Sequence, residues 1–208
     1  MTTLMEGSNQ WSSRPPDERY GSLEALDNAV QHYRAMSREI RGVPVQSLRV
    51  AVQTGAHGQQ PVLIGPADNP ADFTHYSFGQ LARTVGAPAS YLRSLPAQLA
   101  ADNLNQGLQK YDGEADELGP RNLLFASNGA LRLRAMVSDR YTRIWNSDIT
   151  SRLLRLTAQY PEWQPAPAAF DGSRGMYASD EDMFAFLVDS DRRIFETLPG
   201  GGLGRGFF

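Results

Sequence analysis

The sequence predicts a single α+β domain in which antiparallel hairpins pack with several helices. Strand-like and helix-like segments follow one another without regular strand–helix–strand alternation, which favours antiparallel over parallel sheets. Asn128-Gly129 stands between two apolar runs and is the strongest short hairpin signal that a sequence offers. The chain has 208 residues, of which 41% are apolar and 21% charged, so it is long and apolar enough for one sizeable core.

The first predicted element is an amphipathic helix over residues 22–41. Ser22 has the chemistry of an N-cap, and apolar residues recur at helical spacing as far as Ile40. Gly42 and Pro44 are typical of a chain that leaves a helix, so the helix is expected to end there.

Two strands are predicted next. Residues 47–54 alternate between apolar and polar side chains, as a half-buried strand does. Residues 55–60 are rich in glycine and glutamine and predict a turn, after which residues 62–64 return as a second strand. Residues 65–71 read Gly-Pro-Ala-Asp-Asn-Pro-Ala and predict a loop.

Three short helices are predicted in the middle of the chain. Ser77 and Gln80 have the spacing of a capping box, which would open a helix that runs through Val85. Two further helices are expected over residues 88–95 and 96–108, each beginning at a proline.

The second half begins with the Asn-Gly hairpin, whose strands are expected over residues 123–127 and 130–138. A helix follows, with Ser147 or Asn146 as its N-cap.

The last part of the chain is predicted to hold a proline-rich connector over residues 161–175 and a further hairpin formed by residues 176–179 and 183–188. At the other end, residues 1–20 are polar and predict a flexible tail, so the α+β domain is expected to occupy residues 21–208.

Composition excludes several chemistries. The chain has no cysteine, which rules out disulfide scaffolds, cysteine-ligated metals and thiol nucleophiles. Lys110 is the only lysine, and the residues before it do not fit the lysine-containing phosphate-binding loop. No cofactor is predicted, and the chain is more readily interpreted as a non-enzymatic protein than as an enzyme.

The first twenty residues lack the apolar segment of a signal peptide, and no run approaches the ~18 apolar residues of a membrane span. The expected location is the cytoplasm, with no membrane partner.

A basic segment in the centre of the chain is the main candidate for a binding site. Residues 121–160 carry seven arginines and two acidic residues, a net charge of +5 in a chain whose net charge is −3. Arg132 and Arg134 are two apart on a predicted strand and should face one side, with Leu131, Leu133 and Ala135 on the other. Arg140, Tyr141 and Arg143 follow in the turn after that strand. Such a face suits phosphate contacts and base stacking with single-stranded nucleic acid. The alternative is a solvated strand face whose arginines pair with acidic segments.

The helices around Gly86 offer a second candidate. Their sequence resembles the first half of a helix-turn-helix motif, with Ala82 at the helix contact and Arg93 as the one strong DNA-reading side chain. A plain pair of packed helices is the alternative interpretation.

Acidic and polar residues provide weaker candidates. Asp180 and Asp182 are weak candidates for Mg²⁺ ligands, although a hairpin turn explains the same residues. The histidines lack metal-ligand spacing. Ser138 to Tyr141 are interpreted as a buried polar turn in which Asp139 pairs with Arg140 or Arg143.

Several segments together resemble a known family. The most specific are Ser-Asp-Arg-Tyr-Thr at 138–142 and Ser-Asp-Glu-Asp-Met-Phe at 179–184, supported by residues 76–96, 103–105 and 200–208. They resemble the phage and plasmid proteins that carry the domain of unknown function 932, over roughly residues 45–208. The resemblance implies a mobile-element protein and provides no catalytic residues. It also implies further structure after Phe208, so a truncated domain is expected.

The leading hypothesis from the sequence is a mobile-element protein that binds nucleic acid without catalysis and favours single-stranded DNA. Three alternatives stay open. They are a protein-binding antagonist of host defence, a metal-dependent enzyme acting on nucleic acid, and a helix-turn-helix DNA-binding protein.

Overall fold

A computed structural model describes residues 18–55, 58–110, 119–165, 175–180, 182–194 and 203–207. It confirms the α+β class, with helices and largely antiparallel sheets. Contacts group the chain into two compact units, one formed by Met36–Arg143 and the other by Met1–Ala35 with Ile144–Phe208.

The helices of the described residues are α1 Leu23–Ala35, α2 His75–Thr84, α3 Ala89–Ser94, α4 Ala97–Lys110 and α5 Asn146–Gln159. The strands are β1 Arg19–Tyr20, β2 Ser37–Val43, β3 Arg49–Gly55, β4 Gly58–Gly65, β5 Ala67–Phe73, β6 Arg121–Asn128, β7 Ala130–Ser138, β8 Trp163–Pro165, β9 Met176–Ala178, β10 Met183–Phe184, β11 Leu187–Ile194 and β12 Leu203–Phe207.

The unit of residues 36–143 is built on a six-stranded sheet in the order β2-β6-β7-β5-β4-β3. Neighbouring strands are antiparallel except β5 and β7, which are parallel. Apolar side chains from one face of the sheet form a core with α2, α3 and α4, among them Leu63, Phe125, Leu133, Leu81, Leu92 and Leu104. The predicted hairpin of β6 and β7 is confirmed, and Gly129 has the positive φ of 80° that its turn requires.

The first predicted helix is confirmed only as far as Ala35. Ala25 N–H donates to the Ser22 side chain at 3.1 Å, so Ser22 caps α1 as expected. Residues 37–41 were expected to continue the helix but belong to β2, with Ile40 opposite Leu123 on β6. Pairing with a buried strand stabilises this segment more than the helix that its apolar spacing favours.

Residues 65–71 were expected to form a loop, but most of them belong to β5. The ladder between β4 and β5 has a register irregularity between the pairs Leu63↔Ala71 and Gly65↔Ala67. Pro70 lies within that stretch, and a bulge is where a strand tolerates a proline. The loop prediction is therefore wrong, because a composition typical of loops also occurs in an irregular strand.

The N-terminus of α2 lies three residues before the predicted position. Thr74 is the N-cap, and its side chain accepts from Ser77 N–H while the Ser77 side chain accepts from Thr74 N–H. The prediction that Ser77 and Gln80 form the capping box is therefore wrong. The helices predicted at residues 88–95 and 96–108 are confirmed as α3 and α4.

The predicted cap of α5 is also wrong. Its N-cap is Trp145, which makes no side-chain capping bond. The Ser147 hydroxyl instead accepts from Arg34 Nη1 at 3.0 Å, within the contact between α1 and α5.

The second unit contains α1, α5 and two three-stranded sheets, in the orders β1-β9-β10 and β12-β11-β8. The pairing of β9 with β10, with Met183 opposite Ala178, confirms the predicted hairpin as far as Phe184. Leu187 and Val188, expected in its second strand, belong to β11 instead and pair with β8. The predicted connector contains β8, which pairs with β11. The flexible tail was predicted over residues 1–20, but Arg19 and Tyr20 form β1, which pairs with β9. Residues 1–17 of that tail lie outside the described residues, as do residues 166–174 of the connector.

Candidate nucleic-acid interface

A β-bulge in β7 sets the orientation of the candidate arginines. Phe125 is opposite Leu133 and Leu124 is opposite Ala135, so Arg134 is an extra residue in β7. Leu133 belongs to the helix-covered core, and Arg132 and Arg134 lie on the other face of the sheet, as predicted.

The bulge changes the side predicted for Ala135. Its partner Leu124 alternates with Leu123 and Phe125, which both belong to the core. Ala135 therefore lies on the arginine face, and Met136 takes its place in the core.

Side chains of α2 hold the backbone of the bulged strand. The strand β5 pairs with β7 only at Asp72 and Phe73, so the next part of β7 needs other partners. Leu133 C=O accepts from Ser77 Oγ at 2.6 Å and from Thr74 N–H at 3.2 Å, and Met136 N–H donates to Gln80 Oε1 at 2.8 Å. The backbone under the two arginines is thus fixed on both sides.

Arg132 and Arg134 differ in environment. Arg132 is exposed, and the ion pairs between described residues do not include it. Its Cα is in register with Asp72, whose carboxylate accepts from Gln60 Nε2 at 2.7 Å. Arg134 is half-buried, and its Nη1 donates to Ser37 Oγ at 3.4 Å. Arg132 is therefore the more accessible cation.

The turn after β7 is exposed, whereas the sequence predicted a buried polar turn. Tyr141 N–H donates to Ser138 C=O at 3.1 Å and closes the turn. Asp139 and Arg140 are both exposed, and Tyr141 is 49% exposed. Backbone hydrogen bonds satisfy this turn, so a buried ion pair is not needed to hold it.

Arg143 turns back from this segment towards β2. Its side chain is only 15% exposed, and its Nε lies 3.6 Å from Glu39 Oε1. The guanidinium also lies over the Tyr141 ring, 5.7 Å from the centroid. Arg143 is thus placed to hold Tyr141 rather than to present its charge to solvent.

The predicted residues form two groups along β7. Arg132 and Arg134 lie towards the hairpin end, and Arg140 and Tyr141 follow the opposite end at Ser138. Six residues of strand, about 20 Å at ~3.3 Å each, separate Arg132 from Ser138. This spacing suits an extended polymer better than a compact ligand.

The helix pair gives little support to DNA reading. Arg93 Nη2 donates to His75 C=O at 2.8 Å, and its guanidinium lies over the Phe78 ring at 5.2 Å. Ala82 is fully buried, as the packing of two helices requires. The expected reader thus stabilises the pair itself, which favours the alternative interpretation of packed helices.

The acidic candidates have a structural explanation. The Asp182 carboxylate accepts from Tyr177 Oη at 2.9 Å and from Ser179 Oγ at 2.7 Å, within the hairpin turn. Asp180 is exposed. In the part of the chain that the structure describes, no group of three or more histidine, aspartate or glutamate side chains is placed to hold a metal ion.

Glu39 was not among the residues predicted from the sequence, yet it pairs with Arg143 and also accepts from Arg41 Nε at 2.7 Å. The residue was assigned to a helix and so to a different neighbourhood. The local pattern does not indicate a strand here, because the apolar residues Met36, Ile40 and Val43 keep helical spacing.

Comparison of the chain with protein-family models, with curated proteins and with solved structures finds no match. The resemblance to the mobile-element family therefore stays a prediction. None of the helices in the described ranges is long and apolar enough to cross a membrane.

Proposed function

We propose that this protein binds single-stranded DNA without catalysis, through the arginine face of β7 and the turn that follows it. The observation that carries the proposal is Arg132, an exposed cation on a strand whose backbone is fixed by β6 and α2. Because that backbone is already fixed, only the side chain of Arg132 has to be ordered when it meets a phosphate.

Tyr141 provides an aromatic ring on which a base can stack. Tyr141 is about half exposed, and the guanidinium of Arg143 lies over its ring. Stacking on an aromatic side chain is tolerant of base identity and needs an unpaired base. An arginine face with an aromatic platform therefore favours a single strand over a duplex.

The charge of the segment supports the same conclusion. Residues 121–143 contain five arginines and a single acidic residue, Asp139. Arg121 is 3% exposed and Arg143 is paired with Glu39, so the exposed Arg132 and Arg140 would provide most of the contacts to phosphates, with the half-buried Arg134 beside Arg132. A role in a mobile genetic element, exercised in the cytoplasm, is part of this proposal and follows from the family resemblance.

The test is the binding of a fluorescent oligothymidine, measured by anisotropy at several salt concentrations. Binding should weaken as salt rises, because each phosphate contact releases a counterion. The Arg132→Ala/Arg134→Ala double variant should bind at least about tenfold more weakly, with a salt slope smaller by about 1.4.

The matched control is the Arg49→Ala/Arg83→Ala variant, which removes the same charge from two exposed arginines outside the proposed face. It should bind almost as the unmodified protein does. Equal affinity in the two double variants, with folding verified by circular dichroism, would contradict the proposal.

A further inference from the structure

A second candidate site lies at the hairpin end of the six-stranded sheet. An open cleft of about 280 Å³ is lined there by Met36, Arg38, Asn69, Phe125, Ala126, Ser127 and Leu131. Its volume is near the lower limit of ~300 Å³ for small-molecule pockets. The cleft therefore suits a small ligand rather than a peptide or a polymer.

The cleft has an apolar floor. Phe125 belongs to the main core, and Leu131 packs against that core from β7. Phe125 is 1% exposed, so it provides a firm base and not a stacking surface. A ligand body of apolar character would replace water over the half-buried Met36 and Leu131.

The lining carries a positive charge. Among the lining residues whose side chains the structure describes, Arg38 is the single charged one, and it is exposed. The ion pairs between described residues use Arg34, Arg41 and Arg143, and none involves Arg38. Asn69 and Ser127 add uncharged hydrogen-bonding groups beside it. The planar guanidinium of an arginine can donate two parallel hydrogen bonds to a carboxylate or a phosphate. Arg38 therefore suits a ligand that carries one of these acidic groups.

We infer that this cleft binds a small organic anion, whose acidic group pairs with Arg38 while its apolar body packs on the half-buried Met36 and Leu131. The ligand class is a carboxylate or phosphate monoester with a flat or compact apolar part. This site is separate from the proposed DNA contacts, since neither Arg132 nor Arg134 lines the cleft.

The test is a titration of the full-length protein with benzoate, thymidine 5′-monophosphate and inorganic phosphate, followed by amide chemical shifts. Saturable binding of benzoate, the nucleotide or both is expected, with the largest shifts at Arg38, Ser127 and Leu131. Inorganic phosphate should bind more weakly than either, because it has no apolar body.

Two variants separate the contribution of the Arg38 charge from that of the cleft volume. Arg38→Gln should weaken binding of the organic anion about tenfold, whereas Arg83→Gln, an exposed arginine outside the lining, should leave it unchanged. Ser127→Phe should fill the cleft and abolish binding with Arg38 intact.

Three results would overturn the inference. They are the absence of saturable binding by every probe, equal binding of inorganic phosphate and the organic anions, and equal losses in Arg38→Gln and Arg83→Gln. The Arg132→Ala/Arg134→Ala variant should keep anion binding, so the failure of one proposal is distinguishable from the failure of the other.

Discussion

Asn105 on α4 shows how one side chain completes a sheet. Its Oδ1 accepts from Val50 N–H at 2.8 Å, and its Nδ2 donates to Val50 C=O at 2.7 Å. Val50 lies on β3, the outer strand next to β4, so the amide takes the place of a neighbouring strand. Both backbone groups are thereby satisfied within the protein.

Replacement of Asn105 by alanine should lower the free energy of unfolding by about 1–3 kcal/mol, because two backbone groups lose their partner. Urea denaturation measures the change. Asn103→Ala is the matched control, since Asn103 is exposed on the same helix and bonds only to Leu99 C=O of its own helix. A loss as large in Asn103→Ala as in Asn105→Ala would refute the role of the amide.

Tyr141 allows a prediction at the same scale for DNA binding. Tyr141→Ala should weaken oligothymidine binding by about 1–3 kcal/mol, whereas Tyr141→Phe should retain most of the affinity, because stacking needs the ring and not the hydroxyl. Fluorescence anisotropy compares the two variants. Equal losses in both would indicate that the hydroxyl matters and that stacking does not.

At the scale of elements, the packing of α4 against the end of α2 depends on Gly107. A Cβ built at this position would lie 2.6 Å from the Cβ of Val85, which is closer than two side chains can approach. The missing side chain is what lets the helix come close to Val85. Gly79 on α2 differs, since a Cβ there would meet only the end of the Arg93 side chain at 3.6 Å.

These two glycines give opposite predictions for the same substitution. Gly107→Ala should destabilise the protein by about 1–3 kcal/mol, because the added methyl group overpacks the helix contact. Gly79→Ala should be neutral or stabilise it by up to about 1 kcal/mol through helix propensity. Thermal and urea unfolding measure both, and a stabilising Gly107→Ala would contradict the close packing described above.

The elements also show where prediction from sequence succeeds. The hairpin at Asn128-Gly129 and the helices after Pro88 and Pro96 were predicted, because local turn and capping chemistry defines them. The strand β2 was missed because its partner β6 is distant in the sequence. The strand β5 pairs with the adjacent β4, but its glycine-, proline- and asparagine-rich flank favours a loop and its register is irregular. The bulge at Arg134 was missed because the alternation of side chains in a sequence does not display a register shift.

Some features of the candidate site could be predicted from the sequence and others could not. The shared face of Arg132 and Arg134 follows from strand periodicity, which a sequence displays directly. The pairing of Arg143 with Glu39 joins residues about a hundred positions apart and depends on β2 being a strand. No local pattern contains that information.

At the scale of the whole molecule, residues 36–143 form a continuous segment with a core of their own. All the proposed DNA contacts belong to this segment. The rest of the described chain forms the other unit from two separate parts of the sequence.

Expression of residues 36–143 alone should therefore yield a folded protein that unfolds cooperatively and still binds oligothymidine. Circular dichroism and anisotropy check the two properties. Non-cooperative unfolding of the segment would show that its core is insufficient, and a folded segment without binding would show that the DNA contacts need the other unit.

The outer strands of the six-stranded sheet have a consequence for behaviour in concentrated solution. The amide of Asn105 occupies the outward-facing groups of Val50 on one side. On the other side, β2 carries Arg38, Glu39 and Arg41 and is interrupted at Gly42, whose φ is 67°. Charges and an interruption discourage a foreign strand from pairing there. The sheet thus offers poor templates for edge-to-edge aggregation, and an Asn105→Ala variant would expose such a template and favour the growth of fibrous deposits during storage.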